Sequence, residues 1–179
     1  MTLRQVLVSV SCALTFASCT VQAQTTRIST EYLMTLYVPF EASQQIDNTL
    51  FISTIPSGRE GWVKGPKING RIIPPAADWL RVMPAGNARI DVRQSVKTDD
   101  GALIYISSNG IVSHTKESWD CLMKGEVITG DDHCFILAPT MQTSAEKYAW
   151  LNHVQCIGKV VEVQLGENAF VKCDIYVVR

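Results

Sequence analysis

The sequence predicts an all-β fold, an antiparallel sandwich or barrel, and two observations carry that reading. Short alternating or apolar runs follow one another from Thr30 to the C-terminus, and Gly, Pro, Asn and Asp separate them at spacings that suit strand–turn–strand connections. Against this background one segment reads as helix, Ser144–Leu151, with Ser144 as N-cap and Glu146 in its first turn. There is no internal repeat, low-complexity tract or interdomain linker, and the length suits one domain.

In chain order the strands are expected at Thr30–Val38, Thr49–Ile52, Gly61–Ile68, Gly70–Ile73, Trp79–Met83, Ala88–Lys97, Ala102–Asn109, Cys134–Pro139, His153–Leu165 and Ala169–Val178. Residues 113–133 are the least regular stretch and read as a long loop.

The N-terminus stands apart from the fold. Arg4 gives a short positive start, Val6–Phe16 is an uncharged run of apolar and small residues, and Val21-Gln22-Ala23 offers small side chains to a signal peptidase. The run falls short of the ~20 residues a helix needs to cross a bilayer. Residues 1–23 are therefore expected to be a cleaved signal peptide, 24–29 a polar leader and 30–179 the β domain, in a secreted or periplasmic protein. Phe16-Ala17-Ser18-Cys19 loosely resembles a lipoprotein signal, so a lipid anchor on Cys19 is the alternative.

Lys and Arg number 16 against 17 Asp and Glu, a formal net charge of −1 with no basic run. That balance argues against nucleic acid and anionic membrane surfaces as partners. Of the six cysteines, Cys121, Cys134, Cys156 and Cys173 remain after the signal. In an oxidising compartment neighbour pairing favours Cys121–Cys134 and Cys156–Cys173, with four free thiols as the alternative. Without a Cys-x-x-Cys pair a zinc site has no support. Asp131-Asp132-His133-Cys134 resembles a ligand cluster, but successive side chains on extended chain point in alternating directions, so no metal is expected.

Two hairpins can be registered from their turns. A four-residue loop at Pro84-Ala85-Gly86-Asn87 pairs Met83 with Ala88 and Asp78 with Arg93, while the Asp-Gly turn pairs Asp99 with Ala102 and Val96 with Tyr105. One face then carries Asp78, Leu80, Asp91, Arg93, Ser95, Lys97, Ile104 and Ile106. The other carries Trp79, Arg81, Ile90, Val92, Gln94, Val96, Leu103 and Tyr105; being more apolar, it is expected to be the interior.

This register makes Asp78 and Arg93 the principal candidates for chemistry, with Asp91 diagonal to them. The carboxylate of Asp78 could move a proton while Arg93 holds a substrate carboxylate or carbonyl; the same pair also reads as a cross-strand ion pair that sets register. Asp99 and Asp100 suit a turn for backbone reasons alone. Trp79, Tyr105, Tyr148 and Trp150 could stack on a ligand or serve as core, and Asn152 could bind a ligand or close the short helix. No Gly-x-Ser-x-Gly nucleophile context, phosphate loop or glycosylation sequon occurs, so no cofactor is expected.

Gly65-Pro66-Lys67, Ala77-Asp78-Trp79, Asp91-Val92-Arg93, Thr98-Asp99-Asp100-Gly101-Ala102-Leu103-Ile104-Tyr105 and Tyr148-Ala149-Trp150-Leu151-Asn152 occur in that order. This succession resembles the domain-of-unknown-function 3237 family, also called uncharacterised protein family 0311, over roughly residues 30 to 179. The resemblance implies a closed antiparallel β-barrel around a central pocket, often in homodimers, and no settled reaction. The chain departs from the family pattern at Cys134–Thr143, where an aliphatic residue replaces an arginine and Gln142 a glutamate, and at Pro75-Ala76, which replace a glycine pair.

Three function classes follow. The first is an exported barrel that binds a small carbonyl-containing or aromatic molecule. The second is a cofactor-independent lyase, isomerase or cyclase, with Asp78 as general base and Arg93 as electrostatic stabiliser. The third is a secreted interaction protein that uses the 113–133 loop.

Overall fold

A computed structural model describes residues 27–179 except Ala85, Asp131 and Asp132, with the backbone alone at His133. The expected signal peptide, Cys12, Cys19 and the Asp131-Asp132 pair lie outside the described residues. The elements are β1 (Thr30–Pro39), β2 (Glu41–Gln45), β3 (Leu50–Thr54), β4 (Trp62–Lys64), β5 (Gly70–Val82), β6 (Ala88–Thr98), β7 (Leu103–His114), α1 (Lys116–Met123), β8 (Ile128–Thr129), β9 (His133–Gln142), a 3-10 segment (Glu146–His153), β10 (Cys156–Gln164) and β11 (Phe170–Val178).

Eight of these strands close a ring in the order β1–β11–β10–β9–β7–β6–β5–β4 and back to β1, all antiparallel. The β2–β3 hairpin extends the sheet from β5, and β8 adds two residues to β10. The runs expected as two strands at Gly70–Ile73 and Trp79–Met83 are one. β5 bends in its middle, where the ladder passes from Ile73–Ser95 to Ala77–Arg93 across Pro74 and Pro75, whose peptide bond is cis. Prolines donate no ladder hydrogen bond, so the irregularity falls where they sit. The first half of β5 pairs with β4 and the second with β3.

Two glycines make the curvature possible. Gly110 and Gly158 flank Leu137 across the β7–β9–β10 row. A Cβ at Gly110 would lie 2.6 Å from the Ile136 carbonyl oxygen, and one at Gly158 would lie 2.8 Å from Ile175 Cδ1. Without side chains there, the sheet can coil tightly around Leu137.

Both expected hairpin registers are corrected by one residue. β5 and β6 pair as Val82–Ala88 and Asp78–Val92, and β6 and β7 as Lys97–Leu103 and Val96–Ile104. Each turn is a three-residue connection ending on a glycine in the left-handed region, Gly86 (φ 85°) and Gly101 (φ 89°). The Met83 N–H donates to the Asn87 carbonyl, and the Thr98 N–H to the Ala102 carbonyl. Since strand side chains alternate, a one-residue slip moves a whole strand's side chains to the other face. The interior therefore takes Asp78 and Leu80 from β5, Ile90, Val92, Gln94 and Val96 from β6, and Ile104, Ile106 and Ser108 from β7. Trp79, Arg81, Leu103 and Tyr105, expected inside, face out.

Other expectations are corrected as well. Residues 113–133 hold α1, capped by Thr115 Oγ1 accepting from the Ser118 N–H, and also β8. The helix expected at Ser144–Leu151 is a 3-10 segment from Glu146, with Ala145 at its N-cap and no capping side chain. All four described cysteines are free thiols. Cys156 lies opposite Val177 and Cys173 opposite Val160, an offset of four residues or ~13 Å, well past the ~7 Å limit for a bridge. Cys121, on α1, meets the Glu126 carboxylate, which raises its thiol pKa, and Cys134 lies exposed on β9.

The two ends of the barrel differ. At one end Tyr148 and Leu151 from the 3-10 segment join the buried core, and Leu151 is 0% exposed. At the other end, α1 and the β2–β3 hairpin stand around the opening.

Candidate functional site

Away from the plugged end, the barrel interior keeps a cavity of about 160 Å³, reaching from Leu36, Ile175 and Leu137 to Trp119 and Leu122 of α1. Neither Tyr148 nor Leu151 of the 3-10 segment lines it, nor do the core residues Ile68, Val96 and Ile104. Its walls are mostly aliphatic, contributed by alternate residues of the surrounding strands. Polar residues interrupt them, Asp78, Gln94 and Ser108 along the β5–β6–β7 wall and Ser53, Thr54 and His114 elsewhere in the lining.

Asp78 sits on β5 just after the Pro74-Pro75 bend, and the shifted register turns its carboxyl inward. The group is enclosed by protein while the residue keeps some surface open, as suits the wall of an open-ended cavity. Desolvation pushes its pKa up to about 6, a hydrogen bond from the Asp91 backbone N–H (3.2 Å) works against that shift, and the nearby Asp91 charge adds to it. Near neutrality this carboxyl can therefore either accept or deliver a proton.

Gln94 and Ser108, each 4% exposed, stand on the inward rows of β6 and β7. Among the described residues, Gln94 Oε1 and Ser108 Oγ find no hydrogen-bond partner. An unmet buried polar atom costs about 1–3 kcal/mol, so two of them on residues that line one cavity need an explanation. His114 completes the polar lining at the α1 end, its ring 5.7 Å from that of Trp119.

Arg93 does not join Asp78. It projects from the outer face, where Nε donates to Asp91 Oδ1 (2.9 Å) and Nη2 to Asp91 Oδ2 (3.3 Å), with Nη1 3.5 Å from the Tyr105 hydroxyl. The expected catalytic pair is thus divided by the sheet, and the reading of Arg93 as partner to Asp78 is corrected. Trp79, Asp91 and Arg93 line a separate outer groove of about 1170 Å³, together with the cross-strand neighbours Arg81 and Arg89.

Tyr148, Trp150 and Asn152 line no part of the barrel cavity, and Asn152 shares a small outer pocket of about 380 Å³ with Tyr105. The Tyr148 hydroxyl donates to Asp100 (3.0 and 3.1 Å to its two oxygens), which ties the plug to the β6–β7 turn. Hydrogen bonds from Lys147, Thr98 and Tyr148 hold the Asp100 carboxyl well below the usual range. Trp150 packs against the core with Lys67 Nζ 5.6 Å from its ring centre. Asn152 clamps the connection after β9, accepting from the Thr143 N–H and donating to the Thr143 carbonyl, both at 2.9 Å.

Ser108 was not among the sequence candidates, nor was Gln94, although Gln94 was on the face expected inside. The available signal was a polar residue within an alternating apolar row: Ile90, Val92, Gln94, Val96 on β6, and Ile104, Ile106, Ser108 on β7. No group of His, Cys, Asp and Glu able to hold a metal occurs among the described residues.

The family model described as "Protein of unknown function (DUF3237)" matches residues 28–178. The chain belongs to this family. Among curated relatives, a UPF0311 protein of Clostridium acetobutylicum is 35% identical over 95 residues, 52% of this chain and 60% of that protein. One from Rhodopseudomonas palustris is 30% identical over 98 residues, 55% of this chain and 64% of its own length. These alignments thus span less than two thirds of the relatives' length. Among solved structures, a β-barrel-like protein of Acinetobacter baumannii is 30% identical with a TM-score of 0.66, covering 88% of this chain and all of its own. The conserved protein of unknown function RPA1785 from R. palustris gives a TM-score of 0.76 at 24% identity, covering 87% of this chain and 100% of that one. A protein of Penicillium herquei described as an enzyme gives 0.59 at 20% identity, covering 89% and 100%. The last two likenesses concern the fold alone.

Proposed function

We propose that this family member binds a small organic molecule inside the barrel, anchored by Asp78, Gln94 and Ser108. The supporting observation is that polar residues of neighbouring strands, Asp78, Gln94 and Ser108, line one largely apolar cavity in the barrel interior. Ligand pockets combine apolar walls with a few placed polar groups in this way. At about 160 Å³ the space is close to that of a cavity known to hold one benzene-sized molecule. The sequence of residues 1–23 adds that the protein works outside the cytosol.

Native mass spectrometry of the purified protein tests both parts. The expected spectrum shows a chain beginning at Gln24 with a noncovalent small-molecule adduct, lost from a Val92→Phe variant that fills the cavity. An adduct that persists in a folded Val92→Phe protein, or none in the wild type, refutes the binding reading. A chain retaining residues 1–23 after expression in an export-competent host refutes the export reading.

The pKa of Asp78 favours a second reading, acid–base catalysis on the bound molecule with Asp78 as the proton-transfer group. Arg93 has no part in it, being on the opposite face of the sheet. Asp78→Asn would then abolish turnover while retaining the adduct; unchanged turnover in that variant refutes the catalytic role.

A further inference from the structure

On the outer face of the barrel one row of residues runs straight across five strands. Leu50 of β3 pairs with Arg81 of β5, Arg81 with Arg89 of β6, Arg89 with Ile111 of β7, and Ile111 with Ile136 of β9. All five line the outer groove of about 1170 Å³, and Ile157 of β10 joins them. The floor is therefore polarised, cationic at β5 and β6 and apolar from β7 to β10.

Charge is not balanced within the groove. Its lining holds three arginines and one carboxylate, Asp91, and Arg93 occupies both oxygens of Asp91. Arg81 and Arg89 are left directly opposite each other, and like charges so placed destabilise an antiparallel ladder. Asp47, between β2 and β3, feels the Arg81 charge, but its Oδ1 accepts from Thr49 and Leu50 and it forms no ion pair with Arg81. Among the described residues neither guanidinium, of Arg81 or of Arg89, makes a hydrogen bond or ion pair.

The apolar half is equally unpartnered. Ile111 and Ile157 are exposed, as is Trp79, two residues before Arg81 on the same face of β5. Large apolar side chains gathered on one surface mark a contact site. Guanidinium groups receive a carboxylate through charge-assisted hydrogen bonds, and the apolar floor receives the body that the carboxylate carries. From Arg89 to Ile136 is two strand spacings, about 10 Å. A second copy docked groove to groove would set one arginine pair against the other, and a bilayer, flat on this scale, does not reach into a groove.

We propose that the outer groove is a binding site, separate from the barrel cavity, for a free amphipathic carboxylate. Its anionic head bridges Arg81 and Arg89, and its apolar body lies along Ile111, Ile136 and Ile157.

Titration calorimetry on the whole protein with octanoate and octanol as probes tests the proposal. Octanoate is expected to bind about tenfold more tightly than octanol and to weaken as sodium chloride is raised. Arg81→Gln and Arg89→Gln should each weaken octanoate about fivefold and leave octanol unchanged. In the double variant, checked as folded by circular dichroism, the two probes should bind within about twofold of each other. Val92→Phe, which fills the barrel cavity, should keep octanoate binding within about twofold of wild type. No octanoate binding, equal binding of the two probes to the wild type, or full octanoate binding in the double variant overturns the proposal. Loss of octanoate binding in folded Val92→Phe places the probe in the barrel, which overturns the groove site and leaves the cavity reading standing. Co-sedimentation with phosphatidylglycerol vesicles, or a dimer that the double variant dissociates, assigns the groove to a bilayer or a second copy and likewise overturns the proposal.

Discussion

Asp78 shows how much a single strand position can alter. Facing outward it would be one of several solvated carboxylates; facing inward it is an acid whose ionisation the fold resists. Its pKa rises from 3.8 to about 6 chiefly through desolvation, so the folded state holds this proton more tightly than the unfolded state does. The associated stability is fully present below pH ~4 and is lost as pH rises to about 6. A shift of this size corresponds to up to about 3 kcal/mol. Asp78→Asn keeps an oxygen for the Asp91 N–H and cannot ionise. Urea unfolding at pH 4 and pH 7.5 should show the wild type losing roughly 2–3 kcal/mol more than Asp78→Asn between the two. Equal losses would mean that the Asp78 carboxyl is hydrated in the folded protein.

At the scale of elements, strand existence was readable from the sequence and strand facing was not. Apolar alternation located β1, β6, β7, β10 and β11 to within a few residues, and the inward row of β6 was identified. The facing of β5 and β7 depended on counting turn residues, where Pro84-Ala85-Gly86 and Asp99-Asp100-Gly101 each admit more than one loop length. The glycine closing each triplet decides it, because a three-residue hairpin ends on a left-handed residue. β2 was missed because all five of its residues are exposed, which leaves no periodic signal. α1 was missed because its amphipathic face is short. A Cβ at Gly101 would meet nothing within 4 Å, so Gly101→Ala isolates the backbone requirement. Thermal or urea unfolding should show a loss of about 1–2 kcal/mol; an unchanged midpoint would remove the left-handed turn as the determinant of register.

For the molecule as a whole, the ring of strands spends its two ends differently. The plugged end concentrates stability: Leu151 is 0% exposed and Tyr148 is tethered through Asp100 to the β6–β7 turn. Leu151→Ala should cost about 2–5 kcal/mol by chemical denaturation. Because Leu151 lines no part of the cavity, the small-molecule adduct should persist in the native mass spectrum of the folded variant. The Tyr148-Ala149-Trp150-Leu151-Asn152 motif was legible in the sequence as a marker of the family, yet its residues close the barrel. Polar residues on inward rows, legible only once register is known, line the cavity.

The plug also governs traffic. With Tyr148 and Leu151 filling one end, an arriving molecule has no way to push the occupant out through that end. Departure then depends on the occupant alone. In a chase experiment the release rate of bound ligand should stay constant as the competitor is raised a hundredfold. A rate that climbs with competitor concentration would require a second opening in the wall.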